Sequence, residues 1–207
     1  FSAHMAQHVV LMMAAAPLLA LGAPPHIWLW ALPLAVRRGI AQWWHKQAAP
    51  RRALHRLPLP WVAWLLSALA MWLWHLPALY EAALANEQVH ALEHVIFLGT
   101  AWLFWDQVLR PQRRTLFAEG TAILLLFTTA LHSGILGALI TFAHTPWYRS
   151  YGATTAAWGL TPLADQQLAG VIMWAPGGVV YLVGMLALIG VRLAQWDQPR
   201  TFESELP

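Results

Sequence analysis

There is no cysteine in this 207-residue chain, and that absence removes two chemistries at once. No disulfide can staple the fold and no thiolate can hold a metal, so any soft ion must be bound by His and Met. Charge is scarce too: Asp, Glu, Lys and Arg make up 10% of the residues, against about 25% in soluble domains. With 59% of residues hydrophobic, there is too little polar side chain to cover a soluble core of this size. The composition excludes an ordinary soluble domain and indicates one integral membrane domain over residues 1–207. Fourteen tryptophans agree with it, since Trp gathers at membrane–water interfaces. A pI near 9.8 does not signal nucleic acid, because the basic residues lie in loops between apolar runs. The chain opens at Phe1 within a helix-like pattern, with no basic stretch ahead of it. A signal peptide is therefore not expected, whereas an upstream segment with another spanning helix is.

Five apolar runs reach the roughly 20 residues that a bilayer crossing needs. They cover about 2–21, 59–76, 90–109, 118–142 and 165–194, so the expected fold is an all-α polytopic transmembrane bundle. Residues Ile27 to Leu34 are apolar but too short to span, and read as a re-entrant or interfacial piece. Arg37, Arg38, Lys46, Arg51, Arg52 and Arg56 occupy the loop after the first run, and Arg110, Arg113 and Arg114 the loop after the third. With Arg192 and Arg200 near the C-terminal end, eleven of the twelve basic residues fall on alternate connections, leaving only Arg149 on the other side. The positive-inside rule then places the basic loops and the C-terminal end in the cytoplasm. Trp43 and Trp44 beside that charge suggest a surface-lying segment drawn to anionic lipid.

This topology sorts the ten histidines. His26, His45 and His55 fall in or near the cytoplasmic loop and carry no expected ligand role. The other seven, His4, His8, His75, His90, His94, His132 and His144, fall at the outer ends or outer halves of the runs. An ionisable side chain at membrane depth is expensive unless it faces protein or water, which makes it a functional candidate by default. His4, His8 and Met12 stand at i, i+4 and i+8 and share a helical face, with Met5 and Met13 nearby. Two imidazoles and a thioether suit a soft or borderline metal such as copper, although Met more often simply fills a core.

The run His90-Ala91-Leu92-Glu93-His94 sets two imidazoles one turn apart beside a carboxylate. It matches the H-x-x-E-H pattern of zinc proteases, but it runs straight into Phe97, Leu98, Trp102, Phe104 and Trp105 with no sign of a soluble cleft. Glu93 reads better as an acceptor fixing an imidazole tautomer, or as a ligand. His132 interrupts an apolar run ahead of Ser133 and Gly134, small residues that let another helix approach. It is a candidate ligand, with an interhelical hydrogen bond as the bland alternative. His75 beside Pro77 is a possible ligand or a helix-end cap, and His144 reads as a surface residue. Asp165 is a candidate N-cap of the last helix, or a partner of an imidazole or metal. Met173 lies two turns on along the same face as a possible auxiliary ligand, and Pro176-Gly177-Gly178 reads as a kink.

The runs FSAHMAQHVVLMMAAAPLLALGAP, HALEHVIFLGTAWLFW and DQQLAGVIMWAPGGVVYL resemble the integral-membrane cytochrome c oxidase assembly factors of the CtaG type, associated with caa-type oxidases. The resemblance covers most of the chain. It implies a bacterial plasma-membrane protein, required to make active haem–copper oxidase, for which copper delivery to oxidase subunits is the usual proposal. It marks His4 and His8 with the methionines after them, then His90, Glu93 and His94, then Asp165, Gln166, Met173 and Trp174. Members of that family have six or seven spans, so the resemblance implies a missing N-terminal part. The expected function is therefore non-enzymatic: His4, His8, His90, His94 and His132 bind copper with Met12 and Met173, supported by Glu93, Asp165 and His75. The alternatives are a haem-binding electron-transfer subunit, a membrane copper transporter and, least favoured, a zinc protease.

Overall fold

The computed structural model describes residues 1–22, 30, 32–46, 59–109, 116–152 and 154–196. Its elements are α1 (Ser2–Gly22), α2 (Leu34–Lys46), α3 (Leu59–Trp74), α4 (Pro77–Ala85), α5 (Glu87–Leu109), α6 (Leu116–Thr141) and α7 (Pro162–Trp196). Short 3-10 turns at Arg149–Tyr151 and Thr155–Trp158 stand between α6 and α7. No strand occurs among the described residues. The readings for His26, His55, Arg51, Arg52, Arg56, Arg110, Arg113, Arg114 and Arg200 lie outside them, as do those for the side chains of Trp44, His45 and Lys46.

Three helices, α1, most of α6 and α7, are long and apolar enough to cross a membrane. The chain is accordingly a membrane protein, and the other two expected spans take different forms. The run expected over 59–76 ends at Trp74 and continues, after a bend of 76°, as α4. Leu76-Pro77 makes that corner, because proline suits a first helical position but disfavours helix in the residue before it; Leu76 is extended at φ −65°, ψ 130°. The run expected over 90–109 is helix α5, 23 residues long. It is not among the three, since Glu87, Gln88, His90, Glu93 and His94 make its first two turns polar. Asn86 starts it, accepting hydrogen bonds on Oδ1 from the amides of Gln88 at 2.9 Å and Val89 at 3.2 Å. This side-chain cap satisfies donors that a helix N-terminus leaves free, and it fixes the register of both histidines that follow.

Helix α1 is interrupted by a π turn over Leu11–Ala15, and Pro17 explains it. The amide of Ala16 reaches back five residues to the Leu11 carbonyl, so the next wide bond would run from residue 17 to Met12. Proline has no N–H to give. The Met12 carbonyl instead accepts from the indole Nε1 of Trp105 on α5, at 3.0 Å. Proline in a membrane helix is tolerated where a neighbour re-satisfies the freed group in this way.

Helices α6 and α7 make the closest crossing. A Cβ on Gly170 would lie 2.4 Å from Thr141 Oγ1 and 2.7 Å from the Gly137 carbonyl, while one on Gly137 would lie 2.7 Å from the Cβ of Trp174. Small residues do permit close approach, as the sequence suggests at Ser133-Gly134, but the contact lies elsewhere: a Cβ on Gly134 would meet nothing within 4 Å. Pro176 sits inside an uninterrupted α7. Trp105 of α5 stacks on Tyr181 of α7, 6.0 Å between centroids and 13° from parallel, tying that helix pair to the α1 side of the core. Helix α2 lies largely exposed, with Arg37 over the Trp30 ring at 4.9 Å.

Candidate metal centre

Two i, i+4 histidine pairs meet face to face. Helices α1 and α5 both begin at the same end of the bundle and run side by side. His4 Nε2 lies 2.9 Å from His90 Nε2, and His8 Nε2 lies 3.1 Å from His94 Nε2. Both contacts join residues 86 positions apart, which is the signature of two parallel helices in register. Ring centroids within the group stand 4.2 Å apart for His4–His8 and 4.4 Å for His90–His94. His8 is the deepest, 2% exposed, while the other three are half-buried.

The separations fit a coordination shell. Imidazole nitrogens bound to one ion at about 2.0–2.1 Å stand roughly 3.3 Å apart in a tetrahedron. Among the described residues, two ligand sets have all donor atoms within 4.8 Å of one another: His4, His8 and His94, and His4, His90 and Glu93. The first offers three imidazoles, the second two imidazoles and a carboxylate. With neither thiolate nor a dense ring of oxygens, the donors suit copper or zinc better than calcium or magnesium.

The His4 ring is oriented by residues the sequence reading passed over. Its Nδ1 is hydrogen-bonded to the Tyr80 hydroxyl, with Tyr151 Oη at 3.5 Å. Tyr80 and Tyr151 are themselves joined at 2.9 Å. With Nδ1 donating to Tyr80, the Nε2 lone pair is left facing His90, which is the outer-shell arrangement that metal-binding histidines use. Burial raises the Tyr151 and Tyr148 phenols above their ordinary value near 10, so both remain protonated donors. The available signal was distributional: of four tyrosines in the chain, Tyr80, Tyr148 and Tyr151 all fall in stretches connecting the spans.

Glu93 is fully buried at 0% exposure, and neither carboxylate oxygen has a hydrogen-bond partner. Its nearest imidazole contact is Oε1 to His8 Nε2 at 3.9 Å, too long for the tautomer-fixing bond expected of it.

Other candidates take mainly supporting places. Asp165 does not cap its own helix: that role falls to Thr161, whose Oγ1 accepts from the Ala164 amide at 3.1 Å. Asp165 instead reaches the start of α1, where Oδ1 accepts from the Ser2 amide at 3.1 Å and the Ser2 hydroxyl at 2.5 Å. It therefore anchors the turn that carries His4. Gln166 and Gln167 hold the preceding loop, Gln166 Oε1 accepting from the Trp147 amide at 2.6 Å and Gln167 Nε2 donating to the Ala143 carbonyl at 3.2 Å. His75 caps the end of α3, with Nδ1 donating to the Met71 carbonyl at 2.6 Å. Its Nε2 is buried without a partner. His132 is not gathered with the four imidazoles; its ring packs edge-on against Trp64 of α3 at 5.9 Å. Met12 and Met173 are both buried in the apolar core, and His144 is exposed.

Two curated relatives, an uncharacterized protein of Mycobacterium bovis and an uncharacterized protein of Mycobacterium tuberculosis, are each 27% identical over 200 residues. The match takes in 95% of this chain but only 30% of the length of either relative. No solved structure matches. Paired histidines on the first helix, the H-x-x-E-H run and the Asp-Gln-Gln start of the last helix all fall within residues 1–195, which match the family model of the cytochrome c oxidase caa3 assembly factor, and the chain belongs to that family.

Proposed function

We propose that this protein serves oxidase assembly by binding copper between α1 and α5 and passing it to a haem–copper oxidase subunit, without itself catalysing a reaction. The observation that carries the reading is the in-register meeting of His4 with His90 and His8 with His94. Four imidazoles converge there with no thiolate to trap the ion, so copper can be held and released. The partial exposure of His4, His90 and His94 against the burial of His8 gives the cargo a side from which to leave.

The proposed setting is the bacterial plasma membrane, with five crossings formed by α1, the α3–α4 pair, α5, α6 and α7. The basic loops and the C-terminal end lie in the cytoplasm and the histidine end faces outward. The spacing disfavours the haem alternative, because a porphyrin iron between two axial imidazoles separates their nitrogens by two bonds of about 2 Å each, more than the 2.9 and 3.1 Å found.

The test is a Cu(I) titration of the purified protein in mild detergent beside a His8→Ala/His94→Ala double variant. A tight site in the first that is lost or weakened at least a hundredfold in the second supports the reading. Equal stoichiometry and affinity in both overturns it.

A further inference from the structure

Glu93 is hard to account for by a site that binds Cu(I) alone. A carboxylate removed from water costs several kcal/mol unless it is paired, and this one has no exposure, no hydrogen bond on either oxygen and only the long 3.9 Å contact with His8. Its donor atom nonetheless converges with those of His4 and His90, within the same 4.8 Å limit that defines the three-imidazole set. Helix geometry explains the division. Glu93 and His94 are adjacent on α5 and project about 100° apart, so one helix offers two different ligand sets that share only His4 of α1.

We infer that the centre holds two overlapping ion positions with different chemistry, and that the second, formed by His4, His90 and Glu93, accepts a divalent first-row cation such as zinc. The inference rests on the copper reading only for the first position. Three imidazoles accept Cu(I) or a divalent ion; replacing one of them with an anionic oxygen shifts the preference toward the harder, doubly charged ion and neutralises half of its charge. His4 belongs to both sets. Its Nδ1 is engaged by Tyr80, and the remaining nitrogen has one lone pair to give. The two positions are therefore exclusive: a divalent ion in one displaces copper from the other, so the centre discriminates by exchange and takes one ion at a time.

The experiment titrates the intact purified chain with Zn(II) alone and with Cu(I) alone, in wild type, Glu93→Gln and His8→Ala. The expected result is a double dissociation. Glu93→Gln weakens Zn(II) binding at least tenfold and leaves Cu(I) within threefold; His8→Ala does the reverse. Infrared difference spectra of the wild type supply a readout that needs no variant to fold: Zn(II) loading shifts a buried carboxyl band that Cu(I) loading leaves in place. Equal effects of Glu93→Gln on both ions, or simultaneous full occupancy by both, overturn the two-position inference while the copper reading stands. Glu93-dependent Zn(II) binding with no Cu(I) binding in wild type sinks the copper reading and keeps the divalent position.

Discussion

Replacing Tyr80 with Phe removes one oxygen atom from behind the centre and nothing from within it. Tyr80 is 1% exposed, and its ring packs on Phe1 at 5.2 Å and Tyr148 at 4.6 Å, contacts that a phenylalanine ring keeps. What is lost is the hydroxyl that holds His4 Nδ1 and joins Tyr151. Tyr151 Oη, at 3.5 Å from the same nitrogen, lies beyond a normal hydrogen bond and does not replace it. The cost to folding is about 1–2 kcal/mol, because the hydroxyl makes two such bonds, to His4 and to Tyr151. Metal binding suffers separately, because an outer-shell partner is worth 10–100-fold in affinity, or about 1.4–2.7 kcal/mol. A Cu(I) competition titration against a chromophoric chelator reads this directly. Tyr148→Phe is the control: it removes an equally buried hydroxyl, one that donates to the His75 carbonyl at 2.8 Å and does not touch His4. Affinity within threefold of wild type in Tyr80→Phe, or an equal fall in Tyr148→Phe, refutes the argument that Tyr80 sets the His4 ring for metal.

Three further outcomes are expected. Gly170→Val drives a side chain into Thr141 and the Gly137 carbonyl and destabilises the α6–α7 pair by about 1–3 kcal/mol or more, seen as a lower thermal midpoint in detergent. Trp105→Phe leaves the Met12 carbonyl without its indole donor and costs about 1–3 kcal/mol, while Cu(I) affinity stays within threefold because no imidazole moves; unchanged thermal stability contradicts the Pro17 explanation of the π turn. His132→Ala leaves copper stoichiometry and affinity unaltered, since its ring lies against Trp64, and metal analysis showing a loss of copper overturns that assignment.

Periodicity and composition were enough to read the membrane character, the long helices and both i, i+4 pairs, because spacing along one helix is a local property. How the pairs meet is not local. Nothing in the spacing says that α1 and α5 run in parallel with a common offset, nor that His132, twelve residues from the nearest other histidine in sequence, faces a tryptophan. Asp165 was legible as a helix-start residue, yet it serves the start of another helix, since Thr161 had already capped its own. The Tyr80 contact escaped for a similar reason: α4 looks like a connection until the bend at Leu76-Pro77 turns it over the histidines. Gly170 and Gly137, rather than Gly134, make the close crossing because only the rotation of each helix decides which small residue faces its neighbour.

The common offset of 86 residues between partners also bears on when the centre can exist. His4 and His8 are made first, and two imidazoles on one helix are a poor holder for any ion. At about 5–20 residues per second, roughly 4–17 seconds of synthesis separate them from His90 and His94. Only after α5 has been inserted and laid against α1 do all the donors converge. Convergence of the four imidazoles is thus a sign that the bundle has closed, and a chain stalled before α5 presents only the His4–His8 half of the cluster.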